Sequence, residues 1–418
     1  MPERRFLSDI LRRVAFGAWP GARHGGDLPE MCHELLGERS EASGLVLGRE
    51  ILDVYEAADA EARASFFEAL AQAFGVDEAA LEAAITAWRP GDGEAARRLH
   101  AAAEPRSQEL IRVLNRVPGA TARLVRMRAD LLGLIKARPH LRGLDGDFRH
   151  LFASWFNRGF LELRRVDWST PAAVLEKIIA YEAVHAISGW DDLRARVADP
   201  DRRLFGFFHP AMPGEPLIFV EVALMDRVPG AIAEILAEGR EPLDPGAAKV
   251  AVFYSISNCQ KGLKGISFGN FLIKQVVAEL SAELPGLETF VTLSPVPGLR
   301  AFVDAAGPDD PVLAGVNLPA DAAPDDETTR RLAARYLTQA RRDGGTAFDP
   351  VAHFHLSNGA ELYDIHGAGD LSDAGRRNAW GVMVNYLYDP VKTEANHRSY
   401  AHDGAVAMSS KVRALAKK

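Results

Sequence analysis

A change of texture near Pro139 constrains this chain more than any single motif. Before it, apolar residues recur at helical spacing, and after it they gather in short runs rich in Val, Ile and Phe. From about residue 50 to 140 the sequence is heavy in Ala, Glu, Leu and Arg, and segments 55–74, 78–88, 94–103 and 122–137 carry a helical period. Asp77 stands where an N-cap belongs, while Arg89-Pro90-Gly91 and Pro118-Gly119 read as stops. The expectation is an all-helical bundle, with no grouping of carboxylates, histidines or glycines of the kind chemistry requires. Beyond Pro139, runs 204–208, 217–224, 250–256, 289–293 and 351–356 are bounded by Pro, Gly, Asn or Asp and read as strands. Helical stretches at 270–284 and 328–341 lie between them, and segment 304–327 reads as a mobile excursion. The fold class expected is therefore α/β (α+β), with a helical domain over 1–142 and a mixed catalytic domain over 143–418.

Composition narrows the function classes. A chain of 418 residues outgrows one hydrophobic core, and 47% hydrophobic with 25% charged residues is a globular balance. A net charge of −8 argues against nucleic acid as a partner, since no polyanion would be drawn to the surface as a whole. No stretch approaches the ~18 unbroken apolar residues of a membrane span, so no membrane partner is expected. Cys32 and Cys259 lie far apart without a CxxC spacing, which points to a reducing compartment. At the N-terminus, Arg4, Arg5, Arg12 and Arg13 are offset by Glu3 and Asp9, so a short amphipathic helix is expected rather than a mitochondrial presequence. The ending ALAKK is no peroxisomal address, and a cytoplasmic location is expected.

The 250–256 strand runs into SNCQKGLKGISFG and then into the 270–284 helix. Glycines let backbone approach a ligand, and free N–H groups at a helix start attract an anion such as a pyrophosphate, to which Lys261 and Lys264 add charge. Neither GxGxxG nor GxxxxGK[ST] is present. A turn that needs glycine for geometry alone is the competing reading. Three further positions stand out. Ser294 ends a strand at Ser294-Pro295, where a hydroxyl can face a cleft or simply cap a turn. On a 351–356 strand, alternation would put His353 and His355 on one face, opposite Ala352, Phe354 and Leu356. His209 and Glu215 make a pair in HPAMPGEP that a rigid turn explains equally well.

Several of these segments together resemble one family. The segments SWFNRGFLELRRVDWSTP (154–171), HPAMPGEPLIFVEVAL (209–224), VFYSISNCQKGLKGISFGNFLIKQVV (252–277), TFVTLSPVPGL (289–299), VAHFHLSNGAELYDIHGAGD (351–370) and GVMVNYLYD (381–389) look, in this order, like malonyl-CoA decarboxylase. The resemblance implies a helical domain joined to a catalytic domain of the GNAT acyltransferase fold. It also implies a reaction from malonyl-CoA to acetyl-CoA and CO2, without metal or organic cofactor, in fatty acid and malonate metabolism. It places the acyl-CoA-binding turn at Lys264, Gly265, Ile266, Ser267, Phe268, Gly269 and Asn270. Three residues separate Gly265 from Gly269, a departure from the [RQ]xxGx[GA] pattern. By the same resemblance Ser294 and His355 are catalytic: Ser294 holds the departing carboxylate or relays its proton, and His355 protonates the enolate. His353 is the alternative histidine, and Asn358 and Tyr388 complete the substrate contacts. A homo-oligomer, dimer or tetramer, is implied as well. The rival readings are a GNAT-type acyltransferase, which needs an acceptor, and a non-catalytic acyl-CoA sensor, which binds without turnover.

Overall fold

The computed structural model describes residues 27–38, 40–266, 272–307, 310–314 and 326–417. The expected N-terminal amphipathic helix, Ser267 to Asn270 of the glycine turn, and most of the 304–327 excursion lie outside these residues. The chain divides into two compact units.

The first runs to Phe160 and takes in Pro210–Pro213 and the described residues 260–266. Its helices among the described residues are α1 (Leu28–Gly37), α2 (Glu41–Ala57), α3 (Ala60–Ala73), α4 (Glu78–Ala87), α5 (Gly93–Ala102), α6 (Arg106–Leu114), α7 (Ala120–Leu134) and α8 (Arg142–Trp155). The helical expectation for this half is borne out, with one division added. The 55–74 segment breaks at Ala58, because Asp59 caps a new helix by accepting from Ala62 N–H at 2.8 Å. Asp77 does the same for α4 through Ala80 N–H at 3.0 Å.

The glycine turn is built onto this unit. A Cβ at Gly262 would stand 1.8 Å from the Val125 carbonyl oxygen, so this glycine is required by close backbone packing on α7. Buried Arg128 of α7 spans the contact, donating to Gly262 O at 2.6 Å and pairing with Asp145 of α8 at 2.8 Å. Gly265 adopts φ +77°, which an L side chain resists.

The second unit carries a mixed sheet of strands β1 (Glu162–Val166), β2 (Arg202–Phe208), β3 (Ile218–Met225), β4 (Val250–Asn258), β5 (Thr289–Thr292), β6 (Ser294–Pro295), β7 (Glu361–His366) and β8 (Met383–Leu387). Their order is β1-β2-β3-β4-β5-β8-β6, with β7 also paired to β8. Among the paired strands of the described residues, only β4 and β5 run parallel, joined through helix α9 (Leu272–Glu283). Strands β2 to β4 are buried almost end to end, and most of their positions are apolar, with Arg202, Arg203, Glu221, Ser255 and Ser257 the buried polar exceptions. Ile273, Val276 and Leu280 of α9 pack on one face with Val252's neighbours Ala251 and Phe253. The mixed helix-and-sheet class is thus as expected from the sequence.

One strand was misread. Residues 351–356 form helix α10 (Pro350–Ser357). Asp349 accepts from Val351 N–H at 2.9 Å and Ala352 N–H at 3.0 Å, and Pro350 fills the first helical turn where its missing N–H costs nothing. The Asp-Pro pair is a helix start signal that outweighs the β propensity of Val351 and Phe354.

Candidate functional site

The end of β5 and the start of β6 place Thr292 and Ser294 two residues apart. Ser294 is held by pairing with Val384 of β8. Its Oγ donates to Thr292 Oγ1 at 3.0 Å, and Thr292 Oγ1 also accepts from Tyr386 N–H at 3.2 Å. Asn385 Nδ2 fastens the same corner by donating to Thr292 O at 2.8 Å.

Helix α10 delivers the histidine. Residues two apart on a helix point about 200° apart, so His353 and His355 diverge rather than share the face expected of a strand. His353 Nδ1 meets the Tyr400 hydroxyl at 2.9 Å, where Tyr400 also accepts from Ala347 N–H at 2.8 Å. His355 turns inward: Nε2 lies 3.1 Å from Ser294 Oγ, and Nδ1 lies 2.9 Å from the Tyr388 hydroxyl just beyond β8. The ring stacks on Tyr386 with centroids 4.4 Å apart. Ser294, His355 and Tyr388 are therefore joined on one hydrogen-bond line, all of them buried.

Burial decides the charge state of that line. It pushes the His355 imidazole down to about 3, so the ring is neutral at physiological pH. Burial also pushes the Tyr388 phenol well above its ordinary value, so it is protonated in the resting site. A protonated Tyr388 donating to Nδ1 leaves the single imidazole proton on Nε2, facing Ser294. Each donor then has an acceptor: Tyr388 O–H to Nδ1, Nε2–H to Ser294 Oγ, and Ser294 O–H to Thr292 Oγ1.

The remaining sequence candidates fall elsewhere. Asn358 caps the end of α10, its Nδ2 donating to Phe354 O at 2.7 Å. Glu215 pairs with Lys177 at 2.8 Å, which gives it a structural partner. Lys264, Gly265 and Ile266 lie on the turn of the first unit, with Lys264 and Gly265 exposed and Ile266 buried. Sequence reasoning passed over Thr292 and Tyr386. Each stands two residues before a chosen residue, Ser294 and Tyr388, so alternation hints at a shared face, but only the crossing with β8 gives either one its part.

A buried serine and a neutral histidine, with a tyrosine on the far ring nitrogen, equip an α/β enzyme for proton-transfer chemistry. Comparison with known proteins narrows the class. Residues 159–418 match the family model described as malonyl-CoA decarboxylase C-terminal domain, and residues 74–156 match that of the N-terminal domain. The chain is 35% identical to a Rattus norvegicus protein named mitochondrial malonyl-CoA decarboxylase, over 86% of this chain and 82% of that one. A crystal structure of malonyl-CoA decarboxylase from Rhodopseudomonas palustris is 51% identical, with a TM-score of 0.87 over 93% of this chain and 98% of that one. Another, from Agrobacterium vitis, is 48% identical with a TM-score of 0.85 over 94% of this chain and 100% of that one. The chain belongs to the malonyl-CoA decarboxylase family.

Proposed function

We propose that this chain converts malonyl-CoA to acetyl-CoA and CO2, with Ser294 and His355 as the catalytic pair. The observation that carries the assignment of residues is the 3.1 Å approach of Ser294 Oγ to His355 Nε2, backed by Tyr388 on Nδ1. Membership of the family supports the substrate.

The chemistry asks for little beyond position and one proton. When the bond to the carboxylate lies along the thioester π system, its electrons pass into the thioester carbonyl and CO2 departs, leaving an enolate. The substrate is its own electron sink. Ser294 turns its hydroxyl from Thr292 to orient the carboxylate that leaves. The proton that closes the reaction comes from His355 Nε2. Although this imidazole is neutral, its N–H is far more acidic than the α-carbon of a thioester, so transfer runs downhill. As Nε2 gives up its proton, the Tyr388 O–H supplies Nδ1, and the phenol recovers a proton from solvent. One proton from water is consumed per turnover. In a buried site these donors act with little screening, which raises their worth at the transition state.

The turn from Lys264 to Asn270 takes the acyl-CoA in this reading, with Lys264 supplying charge to phosphate. The reading also includes a homo-oligomer acting in the cytoplasm, in fatty acid and malonate metabolism; Cys32 and Cys259, both free and buried, are in keeping with a reducing compartment.

Purified protein given malonyl-CoA alone tests the activity. Equal amounts of CO2 and acetyl-CoA are expected. Turnover that appears only after an amine or alcohol acceptor is added would instead establish an acyltransferase, and tight binding without turnover a sensor.

A further inference from the structure

The first unit carries a cleft of about 510 Å³ between the end of α7 and the face of α8, and the mechanism above makes no use of it. Its size falls within the range of roughly 300–1,000 Å³ typical of small-molecule sites. Leu132 and Ile135, half-buried, give it an apolar wall. Lys136, Arg142 and Arg149 give it three exposed cations, none of which has an ion-pair partner among the described residues. The cleft's one carboxylate, Asp145, is already neutralised by buried Arg128.

Unpaired cations beside an apolar wall fit a ligand that joins a flat ring to several phosphate charges. The place of the cleft fits the same ligand. Arg128 holds Asp145 with its Nε and the Gly262 carbonyl with its NH1, so one buried side chain fastens both the cleft and the 260–266 turn. A Cβ built at Gly265 would meet Arg149 Nε at 3.9 Å and nothing else within 4 Å, so the turn borders Arg149 and is open beside it. We infer that this cleft receives the nucleotide end of acyl-CoA, with adenine against Leu132 and Ile135 and the 3′-phosphate on Arg142 and Arg149. Planar guanidinium groups suit phosphate recognition through paired N–H donors. Lys136 adds a point charge on the rim.

The inference rests on the reading that the turn takes acyl-CoA, and the test separates the two. In the double variant Arg142→Ala/Arg149→Ala, KM for malonyl-CoA is expected to rise tenfold or more. The penalty is expected to shrink below twofold for malonyl-pantetheine, which lacks the nucleotide, and to be intermediate for malonyl-dephospho-CoA, which lacks only the 3′-phosphate. Arg97→Ala, an exposed change on α5, serves as the control for loss of surface charge. Calorimetry with adenosine 3′,5′-bisphosphate reads the site without turnover: the parent is expected to bind it and the double variant to lose at least tenfold in affinity. If the parent fails to decarboxylate malonyl-CoA yet binds the bisphosphate through these arginines, the functional reading falls and the cleft stands. An unchanged KM for malonyl-CoA, or an equal loss with malonyl-pantetheine, overturns the inference.

Discussion

Replacing Tyr388 with phenylalanine probes the relay at its remote end, where no contact with substrate is required. The change removes one hydroxyl, 2.9 Å from His355 Nδ1, and keeps the ring that packs in the core beside Phe253. A buried ring nitrogen left without its partner costs about 1–3 kcal/mol. If that loss falls on the transition state, where Nδ1 must be resupplied as Nε2 gives up its proton, turnover drops by roughly 5- to 150-fold at about 1.4 kcal/mol per tenfold. KM for malonyl-CoA should change little, because the hydroxyl acts on the imidazole rather than on the ligand. Tyr400→Phe is the control: its hydroxyl makes equivalent bonds to His353 and to Ala347 N–H, yet none to His355. Both variants should melt a few degrees early, at about 2–4 °C per kcal/mol for a unit of this size. Only Tyr388→Phe should lose turnover. Acetyl-CoA formation at saturating malonyl-CoA, measured beside thermal melts, separates them. A Tyr388→Phe enzyme with kcat within twofold of the parent would remove Tyr388 from the relay, and equal losses in both variants would reduce its role to packing.

Further outcomes follow from the same geometry. Because His355 is pushed down to about 3, kcat should show no break near pH 6.5 and stay level from about pH 6 to 8; a fall in rate as pH rises through that window would make the imidazolium the acid. The same depression destabilises the fold in acid. The unfolded chain binds a proton at this histidine below about pH 6.5 and the native chain does not, so the loss is about 1.4 kcal/mol per pH unit below that point. Urea melts at pH 7 and pH 5 should therefore show a smaller pH dependence for His355→Gln than for the parent; equal dependence would contradict the buried neutral state. Gly262→Ala would drive a Cβ into the Val125 carbonyl, and a cost of about 1–3 kcal/mol is expected, with KM for malonyl-CoA raised as the turn shifts. An unchanged melting point would show that the turn relaxes freely. Lys264→Ala should weaken substrate binding, read as KM, and a large loss of turnover at saturating substrate would contradict its place on the binding turn.

Much of the fold was legible in residue pattern. The buried strands β2, β3 and β4 were legible as short, mostly apolar runs, and Asp77 as the cap that starts α4, whereas the cap at Asp59 was passed over and 55–74 read as one helix. The failure at 351–356 has a definite cause. Valine, phenylalanine and two histidines favour a strand on their own, but Asp349-Pro350 satisfies the first N–H groups and presets the backbone, and one capped turn suffices to tip the segment into a helix. That error carried a second, since strand alternation paired His353 with His355 whereas the helix sends them to different tyrosines. Thr292 and Tyr386 went unseen because their parts depend on where β8 crosses the ends of β5 and β6, a long-range pairing that no local window contains. The anchoring of the glycine turn by Arg128 is of the same kind, with the two partners 134 residues apart.

Ser294 and His355 act at the transition state rather than in ground-state binding if the proposed chemistry holds. Turnover of Ser294→Ala and His355→Ala at saturating malonyl-CoA, measured beside their affinity for acetyl-CoA, tests this most directly. A loss of about a hundredfold or more in kcat for each, with acetyl-CoA affinity within a few-fold of the parent, is the expected result. Folded variants that keep near-parental kcat, or that lose acetyl-CoA binding in proportion to turnover, would contradict it.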